Sequence, residues 1–511
     1  MNRTRRAITA AGFQYTHLTL ALASGVVLFP MTLRAIGVDD FGLWLVSGEI
    51  VGYLLLGDLG VFATLPWLIA ARAGAEDRPG IAQLTADGLA VGAVVALGLA
   101  AAAAALWTLD PSVFGIDAIK WAAVREPLVV MLGLSALASP LRAALAILAG
   151  LQDVVFCGWI GIVQLTLTVA LTVWLVLRDG YGLMGLAIIA VLPQVLGGAA
   201  AMVRVFVAHR YALALPRPTP AGVGRLVREG SGQWVSGFGV RLLTGSASLI
   251  LAGLGRSGEA TLYAATGKVP QILQTVGWIL PDSGLIGLGQ VRTAGNPEQT
   301  RRAVLSLLMM YLLTSGVTAF AVLTVNPALT RWWLGSDLYA GDAVNGVVAL
   351  NLIFAAAVTG LFKVVTTAAY RPTVGLATLV FGGLAVALSF ELGRLGGLAW
   401  MAAGPSVAAA LFAIPVGLRL VPKVYPLTAR EVVRWWLDWM IRSTPFLAVG
   451  AAVGVVAADH PAWCFGASLM LGFGYLAFLR PVIGAVPWPA TARRILTRLK
   501  LVPVSPNTRS S

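Results

Sequence analysis

The sequence predicts an all-α integral membrane protein of about 14 transmembrane helices: two pseudo-symmetric six-helix lobes followed by two C-terminal helices. Three observations predict it. The 511 residues are 58% hydrophobic and only 11% charged, with a mean hydropathy of +0.85, whereas soluble chains carry about a quarter charged residues. Apolar runs of about 20 residues, the length that crosses a bilayer, recur from end to end. Runs six places apart also match one another in sequence.

In chain order the apolar runs fall at 7–33, 41–70, 81–109, 127–150, 154–177, 182–203, 231–254, 259–281, 303–325, 342–367, 372–390, 396–418, 443–458 and 462–479. The opening MNRTRR resembles the start of a signal peptide, but the apolar run behind it is too long and lacks a small-residue cleavage site. It reads as the first span. The connections are short and leave no soluble domain; the longest outer ones are 110–126 and 326–341.

The net charge of +14 sorts by side of the membrane. With a cytoplasmic N-terminus, 25 Lys and Arg fall in cytoplasmic segments, 7 fall outside, and Arg142, Arg241, Lys268 and Lys363 lie within spans. The positive-inside bias thus places both termini in the cytoplasm and requires an even number of spans. The excess charge is a topology signal and an attraction to anionic headgroups. No base-reading motif accompanies it, so nucleic acid is not an expected partner. Cys157 and Cys464 lie far apart, in or near spans, and predict no disulfide framework.

The repeat sets the architecture. LWLVSGEI at 43–50 aligns without a gap on LYAATGKV at 262–269, a shift of 219 that also carries Gln14 and Tyr15 onto Gln233 and Trp234. LMGLA at 183–187 resembles LGGLA at 395–399. Because six is even, both copies share one orientation, as in parallel-repeat transporters. The expected divisions are an N-terminal lobe at 1–210, a cytoplasmic linker at 211–230 in which LPRPTP (215–220) discourages helix, a second lobe at 231–420, and a C-terminal segment at 421–511.

Charges inside spans are the candidate functional groups. Each costs on the order of 2.5 to 3.5 kcal/mol at bilayer centre, so they should line a wet cavity or pair across helices. At 1.5 Å per residue, His17 and Arg241 lie roughly 15 Å from the cytoplasmic side, while Glu49 and Lys268 lie roughly 12 to 14 Å from the other. These four can meet near the midplane. Arg142, Lys363 and Asp58 lie lower. Glu49 and Asp58 are nine residues apart and point in opposite directions on a straight helix. Gly237, Arg241, Thr244 and Ser248 form one polar stripe, Lys268, Gln271 and Thr275 a second, and Gln14, His17 and Ser24 a third.

Simpler roles compete. His17 is more often a satisfied polar contact between helices than a proton carrier, Asp58 serves equally as a brace for its Gly-rich turn, and Arg142 and Lys363 serve as headgroup-seeking side chains, the reading favoured for Lys363. Asp39 and Asp40 read as a solvated outer turn. Glu49 and Lys268, at equivalent repeat positions, are candidates for an ion pair that separates during a cycle or for a fixed structural pair.

RAIGVDDFGLWLVSGEIVGYLLLGDLG at 34–60 resembles the entrance to the second helix of Wzx-type polysaccharide flippases in the MOP (multidrug/oligosaccharidyl-lipid/polysaccharide) exporter superfamily. Arg34, Gly37, Phe41, Gly42, Leu43, Trp44, Asp58, Leu59 and Gly60 carry the likeness, and Ala149-Gly150-Leu151-Gln152 and 260–268 add to it. The resemblance implies a two-lobed alternating-access translocator in the bacterial inner membrane, moving a polyprenyl-diphosphate-linked oligosaccharide for surface polysaccharide assembly. Arg241, Lys268, Arg142, His17 and Gln271 would then hold the substrate, with Glu49 and Asp58 as ion-coupling groups. Arginine and lysine match a diphosphate. The implied partners are the lipid-linked glycan, membrane lipids and polysaccharide assembly proteins, and the protein is expected to act as a monomer.

Two relatives of that fold compete. Peptidoglycan-precursor flippases typically carry arginine in the first helix, where this chain has His17; multidrug exporters favour acidic cavities. A membrane glycosyltransferase or polymerase is the rival from another class. The short outer connections, three His and lack of a metal-ligand, phosphate-loop or nucleophile motif argue against an enzyme and predict no cofactor. A periplasm-active phosphatase fused after Ser511 should stay inactive and a cytoplasm-active fluorescent protein should fluoresce; the reverse result would invert the topology.

Overall fold

Each of the fourteen apolar runs falls mainly on helix in the computed structural model, which describes residues 3–108, 118–214, 216–293, 296–368, 371–485 and Thr497. Residues 110–117 of the outer connection, Leu215 of the linker and, apart from Thr497, the basic tail beyond 485 lie outside the described residues. The helices are α1 (Arg3–Ile36), α2 (Val38–Gly74), α3 (Arg78–Ala105), α4 (Ala118–Gly150), α5 (Val154–Arg178), α6 (Gly182–Ala208) and α7 (Pro220–Thr244 with Ala247–Gly253). They continue as α8 (Ser257–Thr293), α9 (Pro297–Trp333), α10 (Asp342–Thr366), α11 (Arg371–Gly396), α12 (Leu398–Val424), α13 (Ala429–Val456) and α14 (Pro461–Phe478).

Among the described residues twelve of these helices are long and apolar enough to cross a membrane, and α7, bent by 57° at its break, makes a thirteenth. The remaining one, α8, has the length at 37 residues, but Lys268, Gln271, Gln274, Thr275 and Asp282 lower its hydropathy.

Several helices run past their apolar runs, and two of the differences carry capping chemistry. Asp39 and Asp40 sit in the first turn of α2 rather than in a loop, where carboxylates complement the exposed N–H groups of a helix start. Helix α13 begins at Ala429, about four turns before the apolar run at 443. Thr428 and Glu431 form a reciprocal capping box there, and Arg301 of α9 reaches Glu431 at 2.6 Å. The helix thus starts on polar capping chemistry and becomes apolar later.

The chain divides into two compact units, 1–261 and 262–511. In the first, α4 packs against α3, α6 and the second half of α2, burying Leu65, Ile69, Leu132, Ile147 and Leu148. Small residues let these backbones approach: a Cβ on Gly92 would lie 2.7 Å from Pro140 Cα, and one on Gly198 would lie 2.7 Å from Leu141 Cβ. Between α2 and α3, Asp77 caps the next helix by accepting from Gly80 N at 2.8 Å. That bond and Arg72, 2.6 Å away, hold its carboxyl below the usual range. Cys157 is a free thiol here.

In the second unit α9 is the axle, packed by α10, α13 and α14 with Tyr311 and Phe320 buried. Pro327 removes the N–H that would pair the Leu323 carbonyl four residues back. Gly454 of α13 lies against that oxygen, at 2.0 Å from where its Cβ would be. Cys464 is likewise a free thiol, buried and donating to the Ala457 carbonyl. Gly454→Val should push α13 off α9 and cost about 1 to 3 kcal/mol as overpacking. Gly466→Val, with nothing within 4 Å of its Cβ, should leave the melting temperature in detergent unchanged.

Candidate functional site

Helix α2 breaks where its sequence turns glycine-rich. The α-helix ends at Leu54, Leu55–Asp58 form a 3₁₀ turn, and Leu59 and Gly60 take left-handed φ of 50° and 77° before helix resumes at Val61. Asp58 Oδ1 accepts from Gly60 N at 3.0 Å. Trp234 of α7 donates its indole N–H to the Leu56 carbonyl at 2.7 Å, supplying a partner at the break. Gly60 has to be glycine on two counts: its φ is positive, and a Cβ would sit 2.5 Å from the Gly230 carbonyl of α7. Because α2 is broken, the straight-helix premise that set Glu49 and Asp58 on opposite faces does not hold.

One and a half turns before the break, Glu49 Oε2 meets Arg241 Nη2 of α7 at 2.6 Å. Two glycines create the room. A Cβ on Gly52 would lie 1.9 Å from Arg241 Nη2, and one on Gly245 would lie 2.3 Å from Glu49 Oε2. Arg241 Nη2 also approaches the Gly48 carbonyl at 3.4 Å, and its guanidinium sits 5.6 Å from the Tyr53 ring centroid. The Tyr53 hydroxyl donates to the Arg241 carbonyl at 3.3 Å and shares a hydrogen bond with Ser246 Oγ at 2.6 Å. That carbonyl lies one turn before the bend of α7.

The pair is a close charge contact rather than an aligned hydrogen bond. Glu49 Oε2 and Arg241 Nε are both buried and neither has a hydrogen-bond partner among the described residues, although the side chains as a whole are 20% and 29% accessible. A buried donor without a partner costs about 1 to 3 kcal/mol. Arg241 thus keeps an unspent guanidinium donor beside its carboxylate.

The structure brings Glu49 to Arg241. The reason is steric and local: Gly52 and Gly245 open a slot that fits a guanidinium. It also brings Asp58 to Arg142, at 3.4 Å, with Arg142 5.1 Å from the Phe62 ring centroid. His17 is exposed on α1 beside Gly161 of α5. Lys268 and exposed Gln271 lie on α8 in the second unit.

Lys363 does not reach away toward headgroups as favoured from sequence. It is held by Asp282 of α8, with Nζ at 2.7 and 2.8 Å from the two carboxylate oxygens. Sequence reasoning missed Asp282 because the apolar run was closed at 281; its helical spacing of fourteen from Lys268 was the available signal. It also missed Asp87, 2% exposed in α3. Asp87 Oδ1 accepts from Gln83 and from Thr219 N, both at 3.0 Å, and so fastens the start of α7 to α3.

Among solved structures, an inward-facing multidrug-resistance MATE family transporter of the MOP superfamily matches with a TM-score of 0.64 at 13% identity, over 80% of this chain and 98% of that one. The fold is that of the MOP transporters. The lipid II flippase MurJ in an inward closed conformation matches with a TM-score of 0.67 at 11% identity, over 93% of this chain and 100% of that one. A MOP superfamily transporter from Pyrococcus furiosus Vc1, described by the reverse polarity of its binding pocket, matches at 0.52 and 15% identity over 81% and 93%. No protein-family model and no curated protein matches in sequence. The 93% coverage extends past residue 428, since the first 428 of 511 residues fall short of it.

Glu49→Gln should strand Arg241. Expected destabilisation is about 1 to 3 kcal/mol, below the 3 to 5 of fully buried pairs because both side chains are partly accessible. In a double-mutant cycle with Arg241→Gln, losses that simply add to within about 0.5 kcal/mol would remove the coupling.

Proposed function

We propose that the protein is a flippase that carries a polyprenyl-diphosphate-linked oligosaccharide across the inner membrane by alternating access, serving surface polysaccharide assembly. The observation that carries this reading is the half-committed guanidinium of Arg241. It is half-buried on the polar stripe of α7, has a buried Nε donor to spare, and is balanced by one carboxylate. A diphosphate offers the charge and the acceptors that such a group lacks. The glycan hydroxyls suit the Thr and Gln side chains of the α7 and α8 stripes, and the polyprenyl tail needs no polar lining because it stays in lipid.

Three further points support it. The fold match extends over the whole length of a lipid II flippase structure. Arg142, Arg241, Lys268 and Lys363 make the intramembrane charge basic in part, which suits an anionic headgroup better than a cationic drug. The short connections leave no enclosed outer domain in which to hold an acceptor for glycosyl transfer. In mechanism, the headgroup enters a hydrated vestibule from the cytoplasmic leaflet, its phosphates compete with Glu49 for Arg241, and the released carboxylate takes a proton or cation until the headgroup leaves.

Deleting the gene should cause one polyprenyl-diphosphate-linked glycan to accumulate in the inner membrane, as read by lipid extraction and mass spectrometry. Wild-type protein should clear it, and Arg241→Gln at equal abundance should clear it at least about tenfold more slowly, the loss expected of one charge-assisted contact. An unchanged polyprenyl-lipid profile in the deletion strain would reject the reading.

A further inference from the structure

The second unit holds a charged cluster that the mechanism above does not use. Lys363 of α10 and Asp282 of α8 face each other with side chains 39% and 41% accessible. Beneath them the buried Tyr311 of α9 donates its hydroxyl to Asp282 Oδ1. Trp278, one turn before Asp282, fixes its indole N–H on Ser315 Oγ at 3.2 Å. Lys363 Nζ lies 5.7 Å from the Trp278 ring centroid and 5.8 Å from that of Tyr311.

The placement of the cluster is as informative as its chemistry. Lys268, Gln271, Thr275, Trp278 and Asp282 recur at offsets of 3, 7, 10 and 14, within about 80° of one another around α8. The polar stripe read from sequence therefore runs on to Asp282, roughly 21 Å along the helix from Lys268. Lys363 is three residues from the end of α10 at Thr366, on the side that the Lys and Arg distribution assigns to the cytoplasm.

We propose that Lys363 is the first phosphate-binding cation the cargo meets, and that Asp282 is its stand-in anion while the site is empty of cargo. This rests on the flippase reading above. An ammonium has three donors; two are spent on Asp282 and the third points among aromatic rings. A phosphate oxygen arriving along the α8 stripe makes the same contacts with more charge. Asp282 can let go because it is not stranded when it does, since Tyr311 still donates to it. The aromatic pair keeps Lys363 from following the carboxylate. A pair that served only as a brace would have no use for this second anchor, nor for accessibility at both charged ends.

The consequence is that the two partners act in opposite directions on binding. Full-length protein in detergent is titrated with farnesyl diphosphate, with farnesol as the control for binding of the tail alone. Wild type should bind the diphosphate and not farnesol. Asp282→Asn should tighten binding about tenfold and Lys363→Gln should weaken it about tenfold, the size of one charge-assisted contact, while Lys363→Arg should retain it. A gain in Asp282→Asn cannot come from misfolding.

If Asp282→Asn and Lys363→Gln both leave affinity within twofold, or both weaken it, the pair is a brace and this inference fails. A loss in Arg241→Gln would still uphold the flippase reading in that case. If wild type does not distinguish farnesyl diphosphate from farnesol, both fail together.

Discussion

The governing constraint is that a chain in hydrocarbon has no water to complete its polar groups, so each must find a partner within the protein. The prolines show how this one complies. Pro270 in α8 lacks the N–H that would pair the Thr266 carbonyl. Asn326 of α9 donates to that oxygen at 2.9 Å and at 2.8 Å to Asn345 of α10, while Thr330 donates to Asn326. A backbone defect in one helix has become the reason three helices lock together. The break in α2 is handled likewise, with the Leu56 carbonyl taken by Trp234 and the Gly60 N–H by Asp58.

Glycine does the complementary work of making room. In this chain it makes room for charge as well as for backbone. Gly52 and Gly245 open the space that Arg241 and Glu49 fill, and Gly222 leaves the start of α7 clear for Asp87, whose Oδ2 would lie 2.1 Å from a Cβ there. Elsewhere the same residue lets helices touch, as at Gly92 with Pro140 and Gly454 with Leu323. At these positions glycine is not a mark of looseness: it stands where arginine, carboxylate or a neighbouring backbone comes close.

The helices were legible because hydropathy over about 20 residues is a physical requirement of spanning, and every apolar run fell mainly on helix. The partners of the charges were less so. Depth and face arithmetic treats each helix as a straight rod; the 3₁₀ turn at Leu55–Asp58 and the bend after Thr244 both violate that. Glu49 was rightly placed near the level of Arg241, but the glycine slot that joins them depends on which helix neighbours which, information that one sequence read alone does not carry. Asp282 escaped notice for a different reason: as a charge at the edge of an apolar run, it looked like the end of the span rather than a working part of it. The signal was present in the α8 periodicity, which continues through Trp278 and Asp282 without a change of face.

By the repeat, α7 opens the second half of the molecule, yet its contacts lie in the compact unit that ends at Thr261. These contacts run along its length. Asp87 holds the Thr219 N–H, Gly230 lies on Gly60, Trp234 bonds Leu56, Arg241 meets Glu49, Ser246 meets Tyr53, and just beyond, Thr261 bonds the Val38 carbonyl at 2.7 Å. Most of these are polar, and in a dry setting each is costly to leave half-made. Sliding α7 by a fraction of a turn would leave several unsatisfied together, so intermediate positions are disfavoured. An alternating-access cycle of the kind proposed above would have to exchange these contacts as a set. Among the contacts in the set, the one between Arg241 and Glu49 joins opposite charges, and on the flippase reading proposed above it is the contact an anionic cargo would replace.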